Sequence, residues 1–296
     1  MRFGCVFPTV EIGSDPAVIR DFAQTAEGLG YSHIVVYDHV LGAVHADRTP
    51  PLWGPYDETH PFHEPMVLLG YLAAVTSDID LATGVLIAPQ RQGVLVAKQA
   101  AELAILSGDR FRLGVGTGWN PVEYEALGMP FAARGRMLDE QIDLWRRLWS
   151  GEVISYDGEF HTIDRACCTP APTRPIPVWL GGGSTASLRR AAAVGDGFVF
   201  GSAGSRTQER CRELLDLLDA SGRHDGFGLD ALIGFGDGPD TWDDAVSAWS
   251  ELGADSLTMR AMTASSTLVG ERDPGFTSPQ QHIDALETFI THVRGR

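Results

Sequence analysis

Lysine is almost absent from this sequence. Lys98 is the single lysine among 23 basic residues, and 39 acidic residues bring the net charge to −16. So acidic a chain repels phosphate backbones and anionic headgroups, so neither nucleic acid nor a membrane surface is expected as a partner. Cysteine is scarce too: Cys5, Cys167, Cys168 and Cys211 form no CxxC and have no zinc-finger spacing. No apolar run approaches about 18 residues, the length a transmembrane helix needs. The start, MRFGCVFP, has no charged segment leading into an apolar one. A cytoplasmic protein with reduced thiols is the expectation. GxSxG and GxxxxGK[ST] are missing, which excludes a hydrolase elbow and a P-loop. His45, His60 and His63 match no metal motif, and no metal site is expected.

What is present is a globular composition, 44% hydrophobic and 21% charged. Short apolar runs alternate with amphipathic stretches throughout. Strands are expected at 2–7, 33–37, 79–87, 110–115, 177–180, 197–200, 230–235 and 255–260, each followed by a helical pattern. The strands do not alternate in polarity, so both faces are buried and the sheet is parallel. Eight such units fit an α/β fold of the (β/α)8 TIM-barrel type better than a doubly wound sheet. Two insertions interrupt it. Residues 41–63 follow strand two, and 153–175, with the turn signal YDGEF, precede strand five. No linker divides the chain, so residues 1–296 are expected to form one domain.

In such a barrel the loops after the strands build the site. Gly181-Gly182-Gly183-Ser184 follows strand five. It reads equally as a phosphate cradle and as a helix cap with tight packing. Gly114-x-Gly116-x-Gly118 lacks the next glycine of a dinucleotide fingerprint and reads equally as room for a flat ring and as ordinary turn glycines. Asp38-His39 follows strand two, where the imidazole reads either as a proton-transfer group that Asp38 could orient or as a structural histidine with its hydrogen bonds satisfied. Trp53, Tyr56, Phe62 and Trp119 are candidate walls of a substrate pocket. Trp145 and Trp149, at i and i+4, read as core. Cys5, in mid-strand, reads as buried and inert.

Several segments resemble the bacterial luciferase-like superfamily, and within it the actinobacterial oxidoreductases that use coenzyme F420, an 8-hydroxy-5-deazaflavin. They are YDHV at 37–40, PFHEP at 61–65, the long block LATGVLIAPQ…GRMLDEQ at 81–141, PVWLGGGSTASLRRAAAVGDGF at 177–198 and QHIDALETF at 281–289. The resemblance implies hydride transfer between F420 and a small organic substrate, in a homodimer. It also implies a non-prolyl cis peptide within Gly84-Val85-Leu86, backing the deazaflavin ring. Further coenzyme contacts are implied at Gly116, Thr117, Gly118 and Asn120, at Gly181 to Ser184, and at Gly201 and Ser202. His39 matches the substrate base of the deazaflavin sugar-phosphate dehydrogenases. Those carry a glutamate where this chain has Trp119, so an acid partner is expected to be missing and glucose 6-phosphate is not the expected substrate. His39 is then either catalytic or a pocket wall. An FMN-dependent monooxygenase and a cofactor-free binding barrel are the alternatives.

Overall fold

The computed structural model describes residues 1–264 and 270–295. Its elements run β1 (Arg2–Val6), α1 (Pro16–Gly28), β2 (His33–Val36), α2 (Pro65–Val75), β3 (Asp80–Thr83), β4 (Leu86–Ile87), α3 (Gly93–Leu106), β5 (Phe111–Gly116), α4 (Pro121–Ala126) and α5 (Arg134–Leu148). They continue with β6 (Ile154–Asp157), β7 (Thr162–Ala166), β8 (Val178–Gly181), α6 (Thr185–Val194), β9 (Gly197–Phe200), α7 (Ser205–Ser221), β10 (Gly228–Gly234), α8 (Pro239–Glu251), β11 (Ser256–Arg260) and α9 (Pro279–Arg294). Local chemistry sets several boundaries. The Asp15 carboxylate accepts from Ala17 N at 2.9 Å ahead of Pro16, and the Glu64 carboxylate accepts from Val67 N at 2.7 Å ahead of Pro65.

The strands are parallel and close on themselves. β1 pairs with β2 on one side and β11 on the other, and the ring continues through β3, β5, β8, β9 and β10. This is a (β/α)8 barrel. Strands such as β2, β8 and β9 are buried at every position, because helices cover the outside and side chains fill the inside.

Strand three departs from the continuous run expected at 79–87. It breaks between β3 and β4, and the Gly84–Val85 peptide is cis. Before the break Gly84 N donates to Val36 O at 2.8 Å, and after it β4 pairs with β5 alone. Of the two insertions, residues 37–64 contain no helix or strand, and β6 and β7 form an antiparallel hairpin. Glu140 of α5 holds that hairpin by accepting from Glu159 N, Phe160 N and His161 Nδ1.

Trp145 and Trp149 are buried, and their indoles donate to Gly93 O at 2.8 Å and Ala97 O at 2.9 Å. Cys5 is buried, and burial pushes its thiol pKa far up. Inside the barrel is a polar knot. His33 Nε2 lies 3.1 Å from Asp230 Oδ2 and 2.8 Å from Thr258 Oγ1. Arg112 stacks 3.9 Å over the Trp179 ring, with its Nη2 3.8 Å from the same carboxylate. Gly4 makes room for the imidazole, since a Cβ there would meet His33 Nε2 at 2.3 Å.

Candidate functional site

Parallel strands bring all their C-terminal ends to one mouth. At the end of β2, Asp38 and His39 part company. Asp38 is buried and faces the broken strand, accepting from Ile87 N at 2.8 Å and from Arg91 Nη2 at 2.5 Å. Arg91 also donates to Glu64 at 3.0 Å. Asp38 therefore ties β4 to β2 and is committed to Arg91. This corrects the expectation that it orients His39.

His39 has an acid partner after all. Its Nδ1 lies 3.4 Å from Glu123 Oε1, and that oxygen also accepts from Val40 N at 2.5 Å and Leu41 N at 3.1 Å. Burial alone would push the Glu123 pKa up. The hydrogen bond and charge of His39, with the two amides, outweigh it and hold the carboxyl below its ordinary range. Sequence reading missed Glu123 because Asn120-x-x-Glu123 at a helix start reads as a capping pair.

Three aromatic rings surround His39. Phe62 lies 4.8 Å away, Tyr56 5.0 Å and Trp119 5.5 Å, centroid to centroid. Trp119 is wedged in place: His45 meets it edge-on at 6.2 Å, and a Cβ on Gly54 would come within 2.2 Å of its Cη2. Trp53 does not join them. It is 72% exposed, and the expectation that it walls the pocket is not met.

Across the mouth lies a cavity of about 530 Å³. Gly84, Val85, Gly181, Gly182, Gly183, Gly201 and Ser202 line it, together with residues of α6 and α7. Val85 packs so closely on Gly116 and Gly181 that a Cβ on either would come within 2.6 and 2.7 Å of its methyls. A Cβ on Gly183 or Gly201 would meet nothing within 4 Å. Arg206 and Arg210 reach the cavity from α7. Arg210 donates to Thr185 Oγ1 at 3.2 Å and pairs with Glu213, and its Nη2 is buried with no partner among the described residues. Both arginines were missed, because charges four apart on a helix read as a solvated face.

The other expected coenzyme contacts have these surroundings. Leu86 is fully buried in the hydrophobic core. Asn120 caps α4 by accepting from Val122 N at 3.0 Å, and Thr117 O accepts from Tyr124 at 2.8 Å. Gly118, at φ +64°, packs on Ile87. Ser184 caps α6 by accepting from Ser187 N at 3.1 Å, so the cap reading holds for its side chain while the three glycines before it border open space. Ser202 Oγ lies 2.7 Å from Thr207 Oγ1. No described helix is long and apolar enough to cross a membrane, and no three His, Cys, Asp or Glu among the described residues are grouped to hold a metal.

A glycine-rimmed cavity lined by two arginines and a histidine–carboxylate pair both lie at the strand ends of a (β/α)8 barrel, the architecture of an enzyme. The chain belongs to the luciferase-like monooxygenase family, whose sequence model matches residues 1–268. It is 40% identical over 199 residues to an uncharacterized protein of Mycobacterium tuberculosis, covering 66% of this chain and 69% of that one. It is 30% identical over 218 residues to the F420-dependent glucose-6-phosphate dehydrogenase of Kineococcus radiotolerans, covering 71% of this chain and 61% of that one. Among solved structures, the monooxygenase RslO1 from Streptomyces bottropensis matches with a TM-score of 0.77 at 17% identity, covering 100% of this chain and 99% of that one. The coenzyme F420-dependent tetrahydromethanopterin reductase from Methanopyrus kandleri matches with a TM-score of 0.75 at 15% identity, covering 99% and 98%. Both show the barrel fold.

Proposed function

We infer that the protein is an oxidoreductase that uses the deazaflavin coenzyme F420 on a small organic substrate. The observation that carries this reading is the cavity over Gly84–Val85, with glycines on its rim and Arg206 and Arg210 among its lining residues. Two guanidinium groups beside an open glycine rim suit an anion, which charge-assisted hydrogen bonds would hold. The residues fit a phosphate-bearing coenzyme: Gly181 to Gly183 with Gly201 admit its backbone, Arg206 and Arg210 meet its charge, and Val85 backs its ring. The name of the Kineococcus relative favours F420 over FMN.

When bound, such a coenzyme accepts or returns a hydride. The protein's part is orientation, exclusion of water and proton exchange. Glu123 accepts from Nδ1 of His39, which leaves Nε2 to take the proton of a substrate hydroxyl or return it. Asp38 and Arg91 hold the broken strand rather than the proton. The working unit in this reading is one domain, residues 1–296, in a cytoplasmic homodimer.

Equilibrium binding of F420 and, separately, of FMN, followed by fluorescence quenching, tests it. Micromolar affinity for F420 with weak FMN binding is expected. Preference for FMN would replace the reading with a flavin monooxygenase, and binding of neither would point to a cofactor-free barrel. Light scattering of the purified protein checks the dimer.

A further inference from the structure

We propose that the substrate of this site is an uncharged alcohol or carbonyl compound bearing a ring or bulky hydrocarbon group, and that Trp119 selects for that group. The surroundings of His39 carry the proposal. Phe62, Tyr56 and Trp119 all lie within 5.5 Å of its ring, centroid to centroid. Tyr56 and Phe62 continue into an apolar cluster with Val6, Val10, Leu232 and Met262. A ligand delivered to Nε2 meets flat apolar surface, which is worth most to a ligand that brings apolar area of its own.

The charges nearby point the same way. Glu123, the acid facing His39, is an anion. Arg91 is spent on Asp38 and Glu64. Arg260, on β11, is buried against Glu271 at 2.5 Å and donates to Tyr37 Oη at 3.3 Å. A phosphate or carboxylate beside His39 would therefore face an anion, with the neighbouring guanidinium groups already paired. Arg206 and Arg210 line the glycine-rimmed cavity instead. The two halves of the mouth thus differ in kind: one is built for an anion, the other for apolar surface. That the reacting group is an alcohol or carbonyl rests on the oxidoreductase reading; the apolar remainder does not.

The test is calorimetric titration of the whole protein with acetophenone, 1-phenylethanol and glucose 6-phosphate, with and without F420, alongside turnover followed at the F420 absorbance. The phenyl compounds are expected to bind and glucose 6-phosphate to bind at least about tenfold more weakly. Trp119→Ala should weaken phenyl binding at least about tenfold, and raise KM more than it lowers kcat. Trp119→Phe should restore most of the affinity, which keeps the test intact if the alanine variant folds poorly. Leu106→Ser, at an exposed position on α3, is the control. Glucose 6-phosphate binding as well as the phenyl compounds, binding of neither class, or phenyl binding indifferent to Trp119 would each overturn the proposal. Phenyl binding that depends on Trp119 in a protein that fails to bind F420 would sustain it while sinking the coenzyme reading.

Discussion

Glu123 reaches across from α4 to within 3.4 Å of His39 Nδ1, and the same carboxylate oxygen takes the amides of Val40 and Leu41. One side chain thereby contacts the imidazole and pins the start of the segment that follows β2. The ionised state of Glu123 is favoured by three neighbours at once, so the pair is preorganised before any ligand arrives.

Replacing Glu123 should separate orientation from presence. Glu123→Gln keeps an oxygen for the two amides but can turn a donor toward Nδ1, favouring the wrong tautomer. Turnover is expected to fall about tenfold, against roughly a hundredfold or more for His39→Ala. Steady-state kinetics measure both, and F420 affinity should stay within about twofold in each variant. Equal losses in kcat for the two would be inconsistent with a positioning role.

Asp38→Ala tests the other half of the separation. The change leaves Arg91 without its buried partner and Ile87 N without an acceptor, and should cost about 3–5 kcal/mol of stability in chemical denaturation. The pH profile of any residual turnover should keep its wild-type shape, because Asp38 does not touch His39.

Gly183→Asp places a negative charge where a Cβ meets nothing within 4 Å. The fold should tolerate it, with thermal unfolding within about 2 °C of wild type, whereas F420 binding should weaken at least about tenfold. Arg210→Met should weaken binding in the same direction without introducing repulsion. Unchanged coenzyme affinity in both would move the anion site elsewhere.

The polar knot inside the barrel predicts acid sensitivity. Burial, with the charge of Arg112 added, lowers the His33 pKa below its ordinary value. The unfolded chain therefore takes up a proton that the folded chain refuses once the pH falls below about 6.5. Stability should drop as pH is lowered through that window and recover on raising it. His33→Asn should flatten this slope in urea titrations between about pH 6.5 and 5, while lowering stability at neutral pH.

Much of the barrel was readable along the chain. Strands such as 197–200 and the helix Thr185–Val194 coincide with the expected spans, because burial on both faces and capping chemistry act over a few residues. Gly181 to Gly183 were marked by their position, since a glycine run after a buried strand suits either a cradle or a helix cap, and the structure sets them on the rim of a cavity. The break in strand three was visible only through resemblance, since nothing in the composition of Gly84-Val85-Leu86 distinguishes it from a continuous strand.

By itself the sequence determined the order of strands and helices, their caps, the parallel sheet and the glycine rim, all consequences of periodicity and local hydrogen bonding. The tertiary structure alone decided who partners whom. Asp38 and His39 are adjacent in the chain, but successive side chains at a strand end point to opposite sides, so one faces Arg91 and the other Glu123. Arg206 and Arg210 line the cavity because α7 brings them to it, and Trp53 stands apart from the rings around His39 because its loop turns it to solvent. Such pairings span tens of residues and depend on the closure of the barrel, so no local pattern encodes them.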